Sequence, residues 1–270
     1  MVKRIKTMKP NYKNWMPKGM IRGTLGGAVA CLILFFVFGV SGLLEAGTLK
    51  TILKIVFLIL TIVLTLLALW MWLLYRAFSY DGRRQMSRQI IDGVAAKVVL
   101  PEGGCGLDVG CGSGALTIAV AKCNPQARIT GIDRWGVEYS SFSKTLCEEN
   151  AKAEGVTNTS FAKGDALKLD FADETFDAVC SNYVYHNIPS FNRQEVLMET
   201  LRVLKKGGTF AIHDIFSRQK YGDMQMFVQR LKNMGYERVE LIDTTKGLFM
   251  SHWEASWMAL KGSAILVGKK

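Results

Sequence analysis

The chain has 270 residues, with 34 lysines and arginines against 23 acids, and 49% of it is apolar. The basic excess is uneven: residues 1–54 hold nine basic side chains and one acid, leaving 25 against 22 in residues 76–270. So balanced a main portion lacks the clustered basic surface that phosphate backbones demand, and no nucleic-acid partner is expected.

Residues 1–22 carry Lys3, Arg4, Lys6, Lys9, Lys13, Lys18 and Arg22 without an acid, a basic segment suited to anionic lipid headgroups. Gly23 to Leu44 is 22 uncharged residues and Ile55 to Tyr75 another 21. Each spans on the order of 30 Å as a helix, the thickness of a bilayer's hydrocarbon. A cleaved signal peptide fits poorly, because the first apolar run is too long and a second follows. The pair is expected to form a transmembrane hairpin over 23–75. Basic residues flank it on both outer sides (Arg76, Arg83, Arg84 and Arg88 follow), whereas the link holds only Lys50 and Lys54 against Glu45. The positive-inside rule then places both termini and the domain 76–270 in the cytoplasm. Trp70, Trp72, Tyr75 and Phe78 stand where the second helix should leave the membrane, and Tyr12 and Trp15 precede the first.

Beyond the hairpin, helical periodicity at Met86, Ile90, Ile91 and Val94 predicts a helix over 80–99, broken by Pro101 to Gly104. A strand, Gly106 to Val109, runs into glycines at 110, 112 and 114, and a helix follows over about 113–122. Glycine there permits positive φ and lets a ligand approach the backbone. The spacing Gly-x-Gly-x-Gly is not that of a dinucleotide-binding turn, and no P-loop lysine follows. Asp108, just before the glycines, repels a pyrophosphate but suits a cationic ligand. The next strand, Arg128 to Asp133, ends in an acid placed to accept hydrogen bonds from ribose hydroxyls.

A helix is expected over 137–154, with Cys147, Asn150 and Glu154 at helical intervals. Strands follow at Thr159 to Lys163 (leading to Gly164, Asp165 and Ala166) and at Phe176 to Asn182. Next come a helix Arg193 to Leu204, a strand Thr209 to Asp214, a helix Tyr221 to Met234, and strands at Arg238 to Ile242 and Ala264 to Val267. Alternation of this kind means a parallel sheet covered by helices.

The segments LDVGCGSG, GID ending at Asp133, GDA at Gly164 to Ala166, FDAVCSNYVYHN and LRVLKKGGTFAIHD, in that order, resemble the class I S-adenosylmethionine-dependent methyltransferases, especially those acting on small molecules. The resemblance covers roughly residues 85–270. It implies a Rossmann-like seven-stranded α/β sheet in the order 3-2-1-4-5-7-6, mostly parallel, with helices on both faces. It also implies S-adenosylmethionine as cofactor. Asp108, Gly110, Cys111, Gly112, Gly114, Asp133, Arg134, Gly164, Asp165, Ala166 and Asn182 are its candidate binding residues, Asp133 at the ribose and Gly164 to Ala166 beside the adenine. Asp165 capping its own loop, and Asp133 pairing with Arg134, are competing readings. Lys206 stands where such enzymes often have proline.

A neutral oxygen or nitrogen acceptor needs a base, and histidine suits that work near neutral pH. Of three histidines, His186 follows the fourth strand beside the expected methyl group, and His213 ends the fifth next to Asp214. Both are candidate catalytic residues, with packing as the competing role. Tyr183 and Tyr185 are candidate acceptor contacts. So are Trp253 and Trp257, four apart in the apolar stretch Leu248 to Met258, which could equally rest on the bilayer or pack in the core. Asn182 lacks the Asn-Pro-Pro-Tyr setting of enzymes that methylate nucleic-acid amino groups. The six cysteines show no metal or redox spacing. The expected activity is methyl transfer to a small-molecule or lipid acceptor, with a protein or RNA acceptor, or cofactor binding without methylation, as alternatives.

Overall fold

The computed structural model describes residues 9–136, 141–190 and 192–270. Lys3, Arg4 and Lys6 of the basic segment, and the start of the helix expected from 137, lie outside them. The described residues form two compact units, Asn14–Ser87 and Arg88–Lys270 together with residues 9–13.

In the first unit, helix α1 (Lys18–Leu34) runs on as a π-helical turn (Phe35–Val40), and a bend leads into α2 (Thr48–Phe78). Both are long and apolar enough to cross a membrane, by length and composition. Lys50 and Lys54, expected in the link, lie in the first turns of α2. Side chains such as Ile33 (56% exposed) and Leu66 (60%) point outward, the reverse of a water-soluble helix pair. The helices meet closely at Gly39, where a Cβ would sit 2.8 Å from that of Lys54. At the other end the Asn14 amide donates to the Tyr75 carbonyl at 2.8 Å, Trp15 packs on Phe78, Lys18 lies over the Tyr75 ring and Arg76 over that of Trp72.

Helix α3 (Met86–Ala95) leads into the second unit and is shorter than the 80–99 expected. The sheet contains β1 (Cys105–Val109), β2 (Arg128–Asp133), β3 (Thr159–Lys163), β4 (Phe176–Asn182), β5 (Leu204–Ile215), β6 (Glu237–Asp243) and β7 (Ser263–Lys269). Their order is β3-β2-β1-β4-β5-β7-β6, as the family resemblance implied, with only β7 antiparallel to its neighbours. The central strands β1 and β4 are buried along nearly their whole length, because in a covered parallel sheet both faces are core.

The connecting helices are α4 (Ala115–Cys123), α5 (Lys144–Ala153), α6 (Arg193–Arg202), α7 (Arg218–Tyr221), α8 (Met224–Asn233) and α9 (His252–Trp257). Several boundaries depart from the periodicity. Helix α5 begins at 144 because the Ser143 hydroxyl accepts from the Leu146 amide. The single helix expected over 221–234 is split: Gly222 takes φ +69°, and Asp223 caps α8 by accepting from the Gln225 and Met226 amides. Helix α6 stops at 202 and β5 starts at 204, earlier than the 209 expected; it passes Gly207 at φ +77° and shifts register against β4 between Phe176 and Ala178. In the 244–260 connection, a capping box of Ser251 and Glu254 starts the short α9.

Candidate active site at the carboxyl ends of the strands

Beyond β1 the chain turns on Gly110, Gly112 and Gly114, at φ +77°, +55° and +80°. Positive φ favours glycine at all three, and a Cβ at Gly110 would lie 2.3 Å from the Val184 side chain. The Gly110 and Cys111 amides both donate to the Ile132 carbonyl, tying the loop to β2. Asp133, at the end of β2, accepts from the Gly112 amide (2.9 Å) with one oxygen and from the Trp135 amide (2.8 Å) with the other. The Trp135 indole in turn donates to the Gly112 carbonyl at 3.0 Å.

Asp108 is buried. One of its oxygens accepts from the Thr117 hydroxyl at 2.7 Å, and the other has no hydrogen-bond partner among the described residues. Burial pushes its carboxyl up to about 7, Thr117 opposes the shift and nearby Asp133 adds to it. An orphaned carboxylate oxygen beside three glycines is the arrangement that a cationic ligand would complete. The residues therefore fit a cofactor that carries a ribose and a positive charge. Cys111 is buried in the loop with its thiol pushed far up, by burial first and then by Cys147, so it is a poor nucleophile.

Arg134 pairs with Asp165, at 3.9 Å, rather than with Asp133. Asp165 also accepts from the Leu167 amide at 2.9 Å, so it closes its own turn. Gly164 donates its amide to the Asp133 carbonyl, and Ala166 is buried in the core.

At the end of β4, Tyr183 takes φ +54°, a left-handed conformation rare for a tyrosine and typical of strained functional loops. Its hydroxyl lies 2.8 Å from that of Ser263, and the ring of His186 stands perpendicular to its own. Tyr185 is fully buried with its hydroxyl on Thr200. His186 Nδ1 lies 2.5 Å from Asp214 Oδ1, and the histidine side chain is 15% exposed. Asp214 is buried and also accepts from the amides of Tyr185, His186 and Ile215. A neutral imidazole that donates Nδ1–H to this carboxylate carries its lone pair on Nε2.

His213 does not face Asp214. Its ring is held by the Asn182 amide at 2.8 Å and the Thr244 hydroxyl at 3.0 Å, and burial pushes its pKa down to about 3. It is therefore neutral at physiological pH. Phe249 packs on the same ring. Trp253 is 73% exposed and its ring lies 5.9 Å from that of Trp257.

Sequence reasoning missed Thr117, Trp135, the Asp214–His186 pairing and Thr244. Thr117, two residues into α4 and nine after Asp108, was the one with a local signal.

A family model described as a methyltransferase domain matches residues 102–246. The sterol 24-C-methyltransferase of Saccharomyces cerevisiae is 30% identical over 65% of this chain and 43% of its own. The demethylmenaquinone methyltransferase of Geobacillus stearothermophilus is 30% identical over 50% of this chain and 55% of its own. The chain thus spans about half the length of these relatives or less. Among solved structures the cyclase SpnF shares the fold, with a TM-score of 0.53 at 22% identity over 71% of this chain and 85% of that one. Sheet order, glycine loop and family match agree: the chain belongs to the methyltransferase-domain family.

Proposed function

We propose that the protein transfers the methyl group of S-adenosylmethionine to a small, lipophilic acceptor at a membrane. The observation that carries this reading is the pairing, at one end of the sheet, of an orphaned Asp108 oxygen at the glycine loop with the Asp214–His186 pair beyond β4. The bound cofactor supplies an electrophilic methyl carbon on a positively charged sulfur. Asp133 receives the ribose hydroxyls in place of part of its present backbone contacts, and Asp108 balances positive charge. The loop of Gly110, Cys111, Gly112 and Gly114, free of bulky side chains at its glycines, lines the approach, with Arg134, Gly164, Asp165 and Ala166 at the adenine side and Asn182 toward the methyl group.

On the acceptor side, His186 Nε2 takes the proton as the nucleophile attacks. Asp214 fixes the tautomer of that ring and stabilises the imidazolium that forms. His213, neutral and engaged at both nitrogens, holds Asn182 and Thr244 in place. Tyr183 and Tyr185 shape the loop that carries His186.

Support for a lipophilic acceptor comes from two sources. Relatives named for sterol and demethylmenaquinone act, by those names, on apolar ring compounds. The chain also bears two helices apolar enough to span a bilayer, with basic residues on their outer flanks. In this reading residues 1–22 and 76–270 are cytoplasmic and 23–75 is the hairpin, which raises the concentration of the domain at the membrane. Trp253 and Trp257 then present an apolar face to the acceptor or the lipid.

The test is incubation of the full-length protein, in lipid vesicles, with methyl-labelled S-adenosylmethionine and membrane lipid extract. Label in organic-phase products supports the reading, and label confined to water-soluble products contradicts it. A shared fold with a cyclase makes the control essential: S-adenosylhomocysteine bound without any methyl transfer would sink the enzymatic assignment.

A further inference from the structure

The glycine loop is held from two sides. On one side Asp133, Trp135 and the Cys147 thiol engage Gly112. On the other side stands a segment more than 100 residues away in sequence. The Ser113 hydroxyl, between two positive-φ glycines, donates to the Tyr12 carbonyl at 2.8 Å. The Asn150 amide, buried on α5, donates to the Ser113 carbonyl at 2.9 Å and to the Asn11 carbonyl at 3.2 Å, and its oxygen accepts from the Asn11 amide at 2.6 Å. The buried Tyr12 ring extends its hydroxyl to Glu154 at 3.0 Å.

A loop with glycine at three of five positions is intrinsically soft, and its backbone amides bind a ligand only as well as they are held in place. Asn150 divides both of its N–H donors between two segments, the loop and residue 11, and its oxygen accepts from residue 11 as well. Helix α5 is packed against β3 and α4 as well, so Asn150 joins residue 11 to the loop from a fixed position.

We infer that residues 11 and 12 form a strap that positions the cofactor loop through Ser113 and Asn150, so that cofactor affinity depends on a segment lying just before the apolar hairpin. Tyr12 and Asn150 are positioning residues: they act on the ligand through Gly112 to Gly114. Because Lys13 is followed directly by Asn14, the strap's far end is tethered to the segment that contains the hairpin. This inference rests on the reading of the loop as the S-adenosylmethionine site.

The experiment compares full-length wild type with Tyr12→Ala, Asn150→Ala, Ser113→Ala and the conservative Tyr12→Phe, all in detergent. It reads S-adenosylhomocysteine affinity by calorimetry, amide hydrogen exchange at residues 110–115, and ligand-free thermal unfolding. The expected result is affinity weakened about tenfold in Tyr12→Ala and Asn150→Ala, less in Ser113→Ala. Exchange at 110–115 should be faster in all three, with losses of affinity that outrun any fall in the unfolding midpoint, and Tyr12→Phe should retain wild-type affinity. Variants in which residues 9–13 lose protection while 110–115 and the affinity do not change would overturn the strap. So would affinity losses matched by equal falls in the unfolding midpoint. Wild type that ignores S-adenosylhomocysteine would overturn the cofactor reading instead, and the exchange data at 110–115 would still decide whether the strap orders the loop.

Discussion

The two halves of the sheet's ligand-binding end are built by different means. The donor half, around β1 and β2, consists of backbone geometry: three positive-φ glycines, two carboxylates and the amides that they hold. The acceptor half, around β4 and β5, consists of side chains from distant segments, with Asp214 reaching back to His186 and His213 locked between Asn182 and Thr244. Backbone-built sites are set by local sequence, and side-chain-built ones by register and by which loop returns where. The two histidines differ in the same way. One is neutralised by burial and made structural, and the other, 27 residues earlier, is left on the rim with a carboxylate behind it.

The largest expected effect breaks the acceptor half alone. His186→Ala should lower turnover by roughly 10²–10⁴-fold, the usual contribution of a positioned base. S-adenosylhomocysteine affinity should stay within a factor of two of wild type, about 0.4 kcal/mol. Asp214→Asn should lower turnover comparably, since the amide no longer anchors Nδ1–H. If pre-steady-state methyl transfer is as fast in His186→Ala as in wild type, His186 is a packing residue.

Breaking the donor half comes next. Asp133→Ala should weaken S-adenosylhomocysteine binding by about 1.5–3 kcal/mol, the range for a hydrogen bond to a charged group, as measured by titration calorimetry. Unchanged affinity would remove Asp133 from the ribose position.

The halves also differ in their response to pH. Asp108 has its pKa raised from 3.8 to about 7, so the folded state binds the extra proton, and this group's contribution to stability falls as pH rises through that window. His213 has its pKa lowered from 6.5 to about 3, so the unfolded state binds the extra proton, and its contribution is lost as pH falls through that window. Between about pH 4 and 6.5 the two slopes oppose each other, each at most about 1.4 kcal/mol per pH unit. Denaturant titrations across this range should tilt in opposite directions relative to wild type: Asp108→Asn toward greater acid sensitivity, His213→Gln toward less. A variant whose pH slope matches wild type would mean that the residue it replaces carries no linked proton. A cationic cofactor also favours the ionised Asp108, so its affinity should rise from pH 6 to 8 in wild type and stay flat in Asp108→Asn.

Trp253→Ala removes an exposed side chain, so unfolding free energy should change by no more than about 0.5 kcal/mol. A larger loss would show that α9 is structural.

The sheet order followed from the family resemblance, which rested on local signals such as the glycine spacing and the strand-end acids. The competing reading of Asp165 as the cap of its own turn is the contact the structure contains, and Arg134 turned out to face Asp165. The acceptor half was read amiss where His213 was coupled to Asp214. Consecutive residues of a strand point to opposite faces, so these two could not meet. In register, Asn182 lies beside His213, while the turn after β4 brings His186 to the Asp214 side. No local pattern announces contacts such as Asn150 to Asn11, which lie 139 residues apart. Helix ends were misjudged where a cap decided them, at Ser143 and Asp223.

The central claim is that the glycine loop with Asp108 and Asp133 takes a sulfonium methyl donor. The most direct measurement is calorimetry of the full-length, detergent-solubilised protein with S-adenosylhomocysteine and, in parallel, NAD. Saturable one-to-one binding of the first and none of the second is the result this account predicts. A folded protein that ignores S-adenosylhomocysteine at millimolar concentration would contradict it.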